Sequence, residues 1–138
     1  IKTGDTVRDG RGRVFQVGQL LGRGLWGRTY AAREDGSDSE WVVKLPYGAE
    51  DHAEGEVSLT QACREIFDEQ LRILQSAPCP GLVEVETHFV LEDGTPVMVM
   101  PRLPSSLERR LNSGCSLEEL HRTVLDIGLR LQALAEYL

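Results

Sequence analysis

Three glycines constrain this chain more than any other feature: Gly22, Gly24 and Gly27, spaced G-x-G-x-x-G in the stretch LGRGLWGRTYAAR. Glycines at that spacing let a backbone come close to a phosphate, because no side chain stands between the peptide N–H groups and the anion. Two architectures with this spacing send the chain directly into a helix, whose N-terminus receives the phosphate. Here Gly27 is followed by Arg28-Thr29-Tyr30-Ala31-Ala32-Arg33 and then by an Asp35-Gly36 turn, so the chain returns as a strand. That excludes a dinucleotide-binding fold. A Walker A loop fails for the same reason, and because it needs lysine where Arg28 stands. Two readings remain: a glycine-tipped β-hairpin laid over a phosphate, or a tight turn with no ligand.

The segments around the hairpin favour a mixed architecture. Residues 14–21 and 29–33 are rich in strand formers, and residues 41–45 make a short apolar strand around one cation. Alternation places Val42 and Lys44 on the same face of that strand. A lysine among apolar neighbours is costly unless an anion meets it or its head reaches water. Residues 83–90 and 96–100 flank Glu92-Asp93-Gly94, a second hairpin signal. Between these strands the pattern predicts one helix, capped by Ser58 or Thr60 and reaching about Ser76, before Pro78 and Pro80. Leu59, Cys63, Ile66, Phe67, Ile73, Leu74 and Ala77 form its apolar stripe, with Gln70 in the middle. Near the end, Ser116 and Glu119 form a capping box that opens a helix running to the last residue. Its apolar positions (Leu117, Leu120, Val124, Ile127, Leu131, Leu134 and Leu138) are joined by a second face at Leu125 and Leu129. Such a helix is expected to be buried in a larger helical body than the remaining chain can build.

Composition narrows the partners. The net charge of −7 argues against nucleic acid as the main partner. The charge is uneven: through Arg33 there are seven Lys/Arg against two Asp/Glu, and afterwards eight against twenty. A glycine hairpin in the basic third suits a phosphate ligand. No apolar run is long enough to cross a bilayer and no leader opens the chain, so no membrane contact is expected in this segment. Cys63, Cys79 and Cys115 are odd in number and unpaired in spacing, which predicts neither disulfide nor zinc and a reducing, cytoplasmic setting. His52, His88 and His121 are scattered and are expected on the surface or in packing. The chain begins at Ile1, so it is expected to be cut from a longer protein.

The order strand, glycines, strand, turn, lysine strand resembles the N-terminal lobe of a bacterial Hanks-type serine/threonine protein kinase, followed by the start of its C-terminal lobe. LLGRGLWGRTYAAR resembles the first hairpin and WVVK the lysine strand. QLRILQSAPCPGLVEV is similar to the end of the αC helix and the entry to the fourth strand. VMVMPRLPSSLERRL resembles the fifth strand, hinge and next helix, and LDIGLRLQALAEYL the long helix before the catalytic loop. The resemblance implies an α+β fold: a kinase N-lobe over residues 1–101, with about five antiparallel strands and one αC-type helix, then hinge and incomplete C-lobe over 102–138.

Carried over by residue, the resemblance implies an ATP site. Gly22, Gly24, Trp26 and Gly27 would cover the phosphates, Leu21 and Thr29 the adenine, and Val42 would line its pocket. Lys44 would contact the α- and β-phosphates, and Met100 would be the gatekeeper. The backbone of Pro101 and Leu103 would face the adenine edge. The implied activity is phosphoryl transfer from ATP to protein Ser/Thr, with Mg2+ bound in the full-length protein. The catalytic aspartate and the metal ligands of that family would come after Leu138, so neither a catalytic residue nor a metal ligand is assigned.

Four positions depart from the family pattern. Thr29 stands for the usual valine and Val42 for the usual alanine, which narrows the adenine slot. Cys79 replaces a frequent histidine. Gln70 stands where the glutamate that pairs with the lysine should be, with Glu69 as the neighbour that could substitute if the helix rotated. An amide accepts a hydrogen bond from lysine but does not neutralise it. A pseudokinase or regulatory binding module is therefore an alternative reading. A small-molecule phosphotransferase with a kinase-like N-lobe is another.

Overall fold

The computed structural model describes residues 1–51, 57–76, 82–104 and 106–137, with backbone alone at 57, 58, 108 and 137. Its strands are β1 (Thr6–Arg8), β2 (Val14–Arg23), β3 (Gly27–Glu34), β4 (Glu40–Pro46), β5 (Thr87–Val90) and β6 (Pro96–Pro101). A 3-10 turn (Ala49–Asp51) and helix α1 (Val57–Ser76) separate β4 from β5, and helices α2 (Leu107–Asn112) and α3 (Leu117–Tyr137) follow β6. Two compact units divide the chain. One comprises Ile1–Ser76 with Val83–Arg102, the other Ala77–Leu82 with Leu103–Leu138. Pro78, Cys79, Pro80 and His52 lie outside the described residues.

The first unit is an antiparallel sheet in the order β1-β2-β3-β4-β6-β5, with α1 packed against it. The Asp-Gly turns form where the sequence places them: Gly36 at φ 76° and Gly94 at φ 87° adopt the left-handed backbone that other residues resist. One strand was not anticipated. β1 has three residues, too few to carry a periodic signal. The strand expected over 83–90 forms only at Thr87–Val90. Inward alternation does continue back through Val85 and Val83, but those side chains pack on the Phe67–Met98–Met100 cluster without joining a ladder.

Each face of the sheet has its own core. On one face Phe15, Val17, Tyr30, Val43, Leu45, Val97 and Val99 are buried together. Each large apolar side chain so buried contributes roughly 1.5–3 kcal/mol. The sheet curls round this core, and polar bonds join its far edges. Thr87 Oγ1 on β5 donates to Asp9 Oδ2 beyond β1 at 3.0 Å. Arg13 bridges Glu34 at 2.9 Å and Glu86 at 2.8 Å, with its guanidinium over the Phe15 and Trp41 rings.

The other face carries α1. Val42, Met98 and Met100 of the sheet meet Phe67, Leu71 and Leu74 of the helix. The helix presents Cys63, Phe67, Gln70 and Leu74 inward at steps of three and four, as the stripe predicts; Leu71 joins them unanticipated, and Leu59 at the start of the stripe is exposed. Its first half is tied to the β5–β6 turn by Arg64, whose Nη2 donates to Thr95 Oγ1 at 3.3 Å.

The second unit is helical. Ser106 caps α2, its Oγ accepting from the Arg109 amide at 3.1 Å. Ser116 caps α3 in the same way, accepting from the Glu119 amide at 3.1 Å. Along α3, Leu117, Val124, Leu125, Leu129 and Leu131 are all more than half exposed. Among the described residues, no helix is long and apolar enough to cross a membrane.

Candidate functional site

The site is built on β3, β4 and β6 with α1 beside them. In register, Thr29 of β3, Lys44 of β4 and Met98 of β6 form one cross-strand row. Ala31, Val42 and Met100 form the next. Side chains in these rows share a face, so a cation at Lys44 stands next to a largely apolar patch. The adjacent row, Arg33 opposite Glu40, returns to charged residues.

Lys44 Nζ donates to Gln70 Oε1 at 3.2 Å, and both residues are partly buried. Among the described residues no carboxylate lies within ion-pair distance of Lys44. Glu69 is turned elsewhere: Arg72 Nε donates to its Oε2 at 3.0 Å. That bond holds the Glu69 carboxyl below its ordinary range. One helical step of about 100° separates Glu69 from the inward stripe, and Gln70 occupies the inward place.

Beside this pair lies a cavity of about 210 Å3. The hairpin tip from Gly24 to Gly27 closes one side, Lys44, Leu45 and Pro46 form the floor, and Cys63, Ile66, Phe67 and Gln70 of α1 form the far wall. Trp26 is 41% exposed at the tip, with Leu25 beside it at 79%.

The three glycines have different reasons to be glycine. A Cβ on Gly27 would sit 2.3 Å from the Leu45 carbonyl oxygen, so this position admits no side chain where β3 crosses β4. A Cβ on Gly22 would meet nothing within 4 Å, and one on Gly24 only the Gly27 oxygen at 3.7 Å. Neither Gly22 nor Gly24 has a positive φ. The tight-turn explanation therefore covers Gly27 and leaves Gly22 and Gly24 without a steric reason among the described residues.

The other residues named from the sequence are placed as follows. Leu21 is half-buried in an irregularity of β2, between the Leu20–Tyr30 and Gly22–Thr29 pairs. Val42 lies between Ala31 and Met100, so a small neighbour flanks it on β3. Met100 is 9% exposed and packs with Phe67 and Met98. Pro101 ends β6 opposite Trp41 and is exposed. Leu103 belongs to the second unit and is 64% exposed. His88 and His121 are exposed. Among the described residues, no group of three or more His, Cys, Asp or Glu is placed to hold a metal ion.

Sequence reasoning missed the residues that hold the hairpin from below. Arg28 is buried beneath it and pairs with Asp51 at 3.3 Å, its guanidinium 5.9 Å from the Tyr30 ring. Tyr47, just beyond β4, bonds the tip twice. Asp51 follows Arg28 by 23 residues and sits in a 3-10 turn, so no local pattern announces the contact.

No protein-family model matches this chain, and no curated protein sequence matches it. Among solved structures, that of vaccinia related kinase 3 is similar, with a TM-score of 0.62 at 23% sequence identity. The match covers 100% of this chain and 42% of that one, so the chain spans less than half the length of that kinase. The likeness is one of fold. This chain has the fold of a protein-kinase N-terminal lobe, a curled antiparallel sheet with one packed helix, followed by the first helices of a C-terminal lobe. In that fold Gln70 stands on the αC-type helix and Lys44 on the strand opposite it.

Proposed function

We propose that this chain is the nucleotide-binding part of a protein kinase of the bacterial Hanks type, binding the ATP whose γ-phosphoryl group the full-length protein transfers to protein Ser/Thr, with ADP as the leaving group. The observation that carries the reading is Lys44. A partly buried cation faces a neutral amide beside a cavity roofed by the glycine hairpin, with no carboxylate of the described residues to neutralise it. An anionic ligand meets that need. In this reading the phosphates lie under the backbone of Gly22, Gly24, Trp26 and Gly27, and Lys44 donates to them. Gly22 and Gly24 lack side chains because the ligand takes that space. The adenine rests against Leu21, Thr29 and Val42, with Met100 behind it and the Pro101 carbonyl at its edge. Mg2+ would accompany ATP, and none of the described residues is assigned as its ligand.

Calorimetric titration of the full-length protein with ATP tests this. Wild type should bind, and Lys44→Met should weaken binding by tenfold or more, as expected for loss of a charge-assisted contact worth about 1.5–3 kcal/mol. Equal affinity in the two proteins overturns the assignment.

Gln70 favours a second reading, a kinase-like module that binds nucleotide or partners with little turnover. An amide steers Lys44 less firmly than a carboxylate, and phosphoryl transfer depends on positioning. ATP binding without measurable phosphate transfer in the full-length protein would select it.

A further inference from the structure

Tyr47 is not among the residues that the sequence or the fold assigns to the nucleotide site, yet it fastens the hairpin tip at two points. Its backbone N–H donates to the Trp26 carbonyl at 3.0 Å, and its phenol hydroxyl donates to the Gly24 carbonyl at 2.7 Å. Gly24 is also bound across the turn, its N–H donating to the Gly27 carbonyl at 2.8 Å. Both backbone groups of the middle glycine are thus satisfied inside the chain.

Tyr47 is itself a fixed post. The preceding residue, Pro46, has a locked φ and is fully buried opposite Gly27. The following residue, Gly48, donates its N–H to Asp51 Oδ2 at 2.9 Å. The same oxygen meets Arg28 Nη2 at 3.3 Å, and Arg28 belongs to the strand that leaves the hairpin. The tip is therefore pinned to the end of β4 through Gly24, Trp26 and Arg28.

We infer that Tyr47 is a positioning residue for the nucleotide site: its hydroxyl holds the glycine hairpin at a set height above Lys44, so that binding does not have to order the tip. The inference rests on the nucleotide reading above for its consequence, whereas the latch itself rests on the two Tyr47 bonds alone. A peptide carbonyl and the N–H of the next residue point in opposite directions across a trans peptide. Fixing the Gly24 carbonyl therefore also fixes the direction of the Leu25 N–H, one of the tip amides. Ordering a free loop on binding costs affinity, and a preordered one avoids that cost.

The test is Tyr47→Phe in the full-length protein, which keeps the ring and the backbone bond and removes only the hydroxyl. Amide exchange of the 22–28 peptide without nucleotide is read by mass spectrometry, ATP affinity by calorimetry, and the melting temperature confirms an intact fold. The expected result is faster exchange at the tip, ATP binding weaker by about three- to tenfold, and a melting temperature near wild type. Tyr47→Trp, which cannot place a hydroxyl at Gly24, should behave as Phe does. Unchanged exchange overturns the latch. Faster exchange with unchanged ATP affinity overturns the positioning role. If wild type binds no ATP, the nucleotide reading fails, and the exchange measurement alone decides whether Tyr47 holds the tip.

Discussion

Lys44 and Gln70 are joined by one 3.2 Å hydrogen bond that carries a full charge on one side and none on the other. The amide orients the ammonium group but leaves its charge for something else to balance. Gln70→Glu should therefore convert an oriented cation into an ion pair without moving either backbone. If Gln70 merely weakens a working site, the full-length variant should show higher phosphate transfer, by up to about tenfold for one charge-assisted contact. Wild-type-like or lower activity would mean that the neutral pairing is itself the working arrangement. Glu69→Gln is the control: Glu69 is exposed and paired with Arg72, so activity should stay within error of wild type.

Gly27 and Gly24 should separate fold from function. Gly27→Ala places a methyl 2.3 Å from the Leu45 oxygen, a backbone atom that cannot swing away, and should destabilise the protein by about 1–3 kcal/mol. The Cβ of Gly24→Val meets one atom at 3.7 Å and the glycine has no positive φ, so its melting temperature should stay close to wild type while ATP affinity falls. Paired melting and titration curves decide it. A Gly24→Val protein that binds ATP as wild type does removes the phosphate-cradle role.

Asp9 supplies a pH dependence with a definite sign. Burial pushes its carboxyl up, but bonds from the Arg13 and Arg11 amides and the Thr87 hydroxyl, with the Arg13 charge, outweigh that and hold it below the ordinary range. A depressed folded pKa adds stability that is complete above the unfolded value near ~3.9 and is lost as pH falls through the folded value. Asp9→Asn should therefore cost about 1–2 kcal/mol at pH 7, and its difference from wild type should shrink below about pH 4. Denaturant unfolding at several pH values checks this. A gap that stays constant down to pH 2 would show that the carboxylate charge plays no part.

The parts of this site legible in the sequence are those with a local signature. Glycine spacing followed by strand formers marked the hairpin, and alternation put Val42 and Lys44 on one face. A three-and-four stripe put Gln70 inward beside Cys63, Ile66 and Phe67, where the structure has them lining one cavity. What escaped depends on pairs distant in sequence. Thr87 and Asp9 are 78 residues apart, and their bond across the edges of the sheet follows from its curl, which no window of residues encodes. Tyr47 escaped differently. Its place after Pro46 carries no local pattern, and only the register of β3 on β4 brings its hydroxyl to Gly24. The irregularity at Leu21 was invisible too, because an extra residue in a ladder leaves the alternation readable on either side.

Helix α3 supplies the last prediction. Leu117, Val124 and Leu131 recur every seven residues along one stripe and are 83%, 58% and 60% exposed, while Leu125 and Leu129 add a second stripe at 57% and 59%. A contiguous apolar surface of that kind is larger than soluble monomers usually leave open to water. The 138-residue chain of known sequence should therefore self-associate at micromolar concentration, and a chain ending at Leu111 should not. Sedimentation velocity of the two at matched concentration measures this directly. Replacing Leu125 and Leu129 with glutamate in the longer chain should restore a monomer if these stripes are the adhesive surface. A clean monomer of the unaltered chain, with α3 amides protected from exchange, would mean that the helix already has its cover, and the unit would then be self-sufficient.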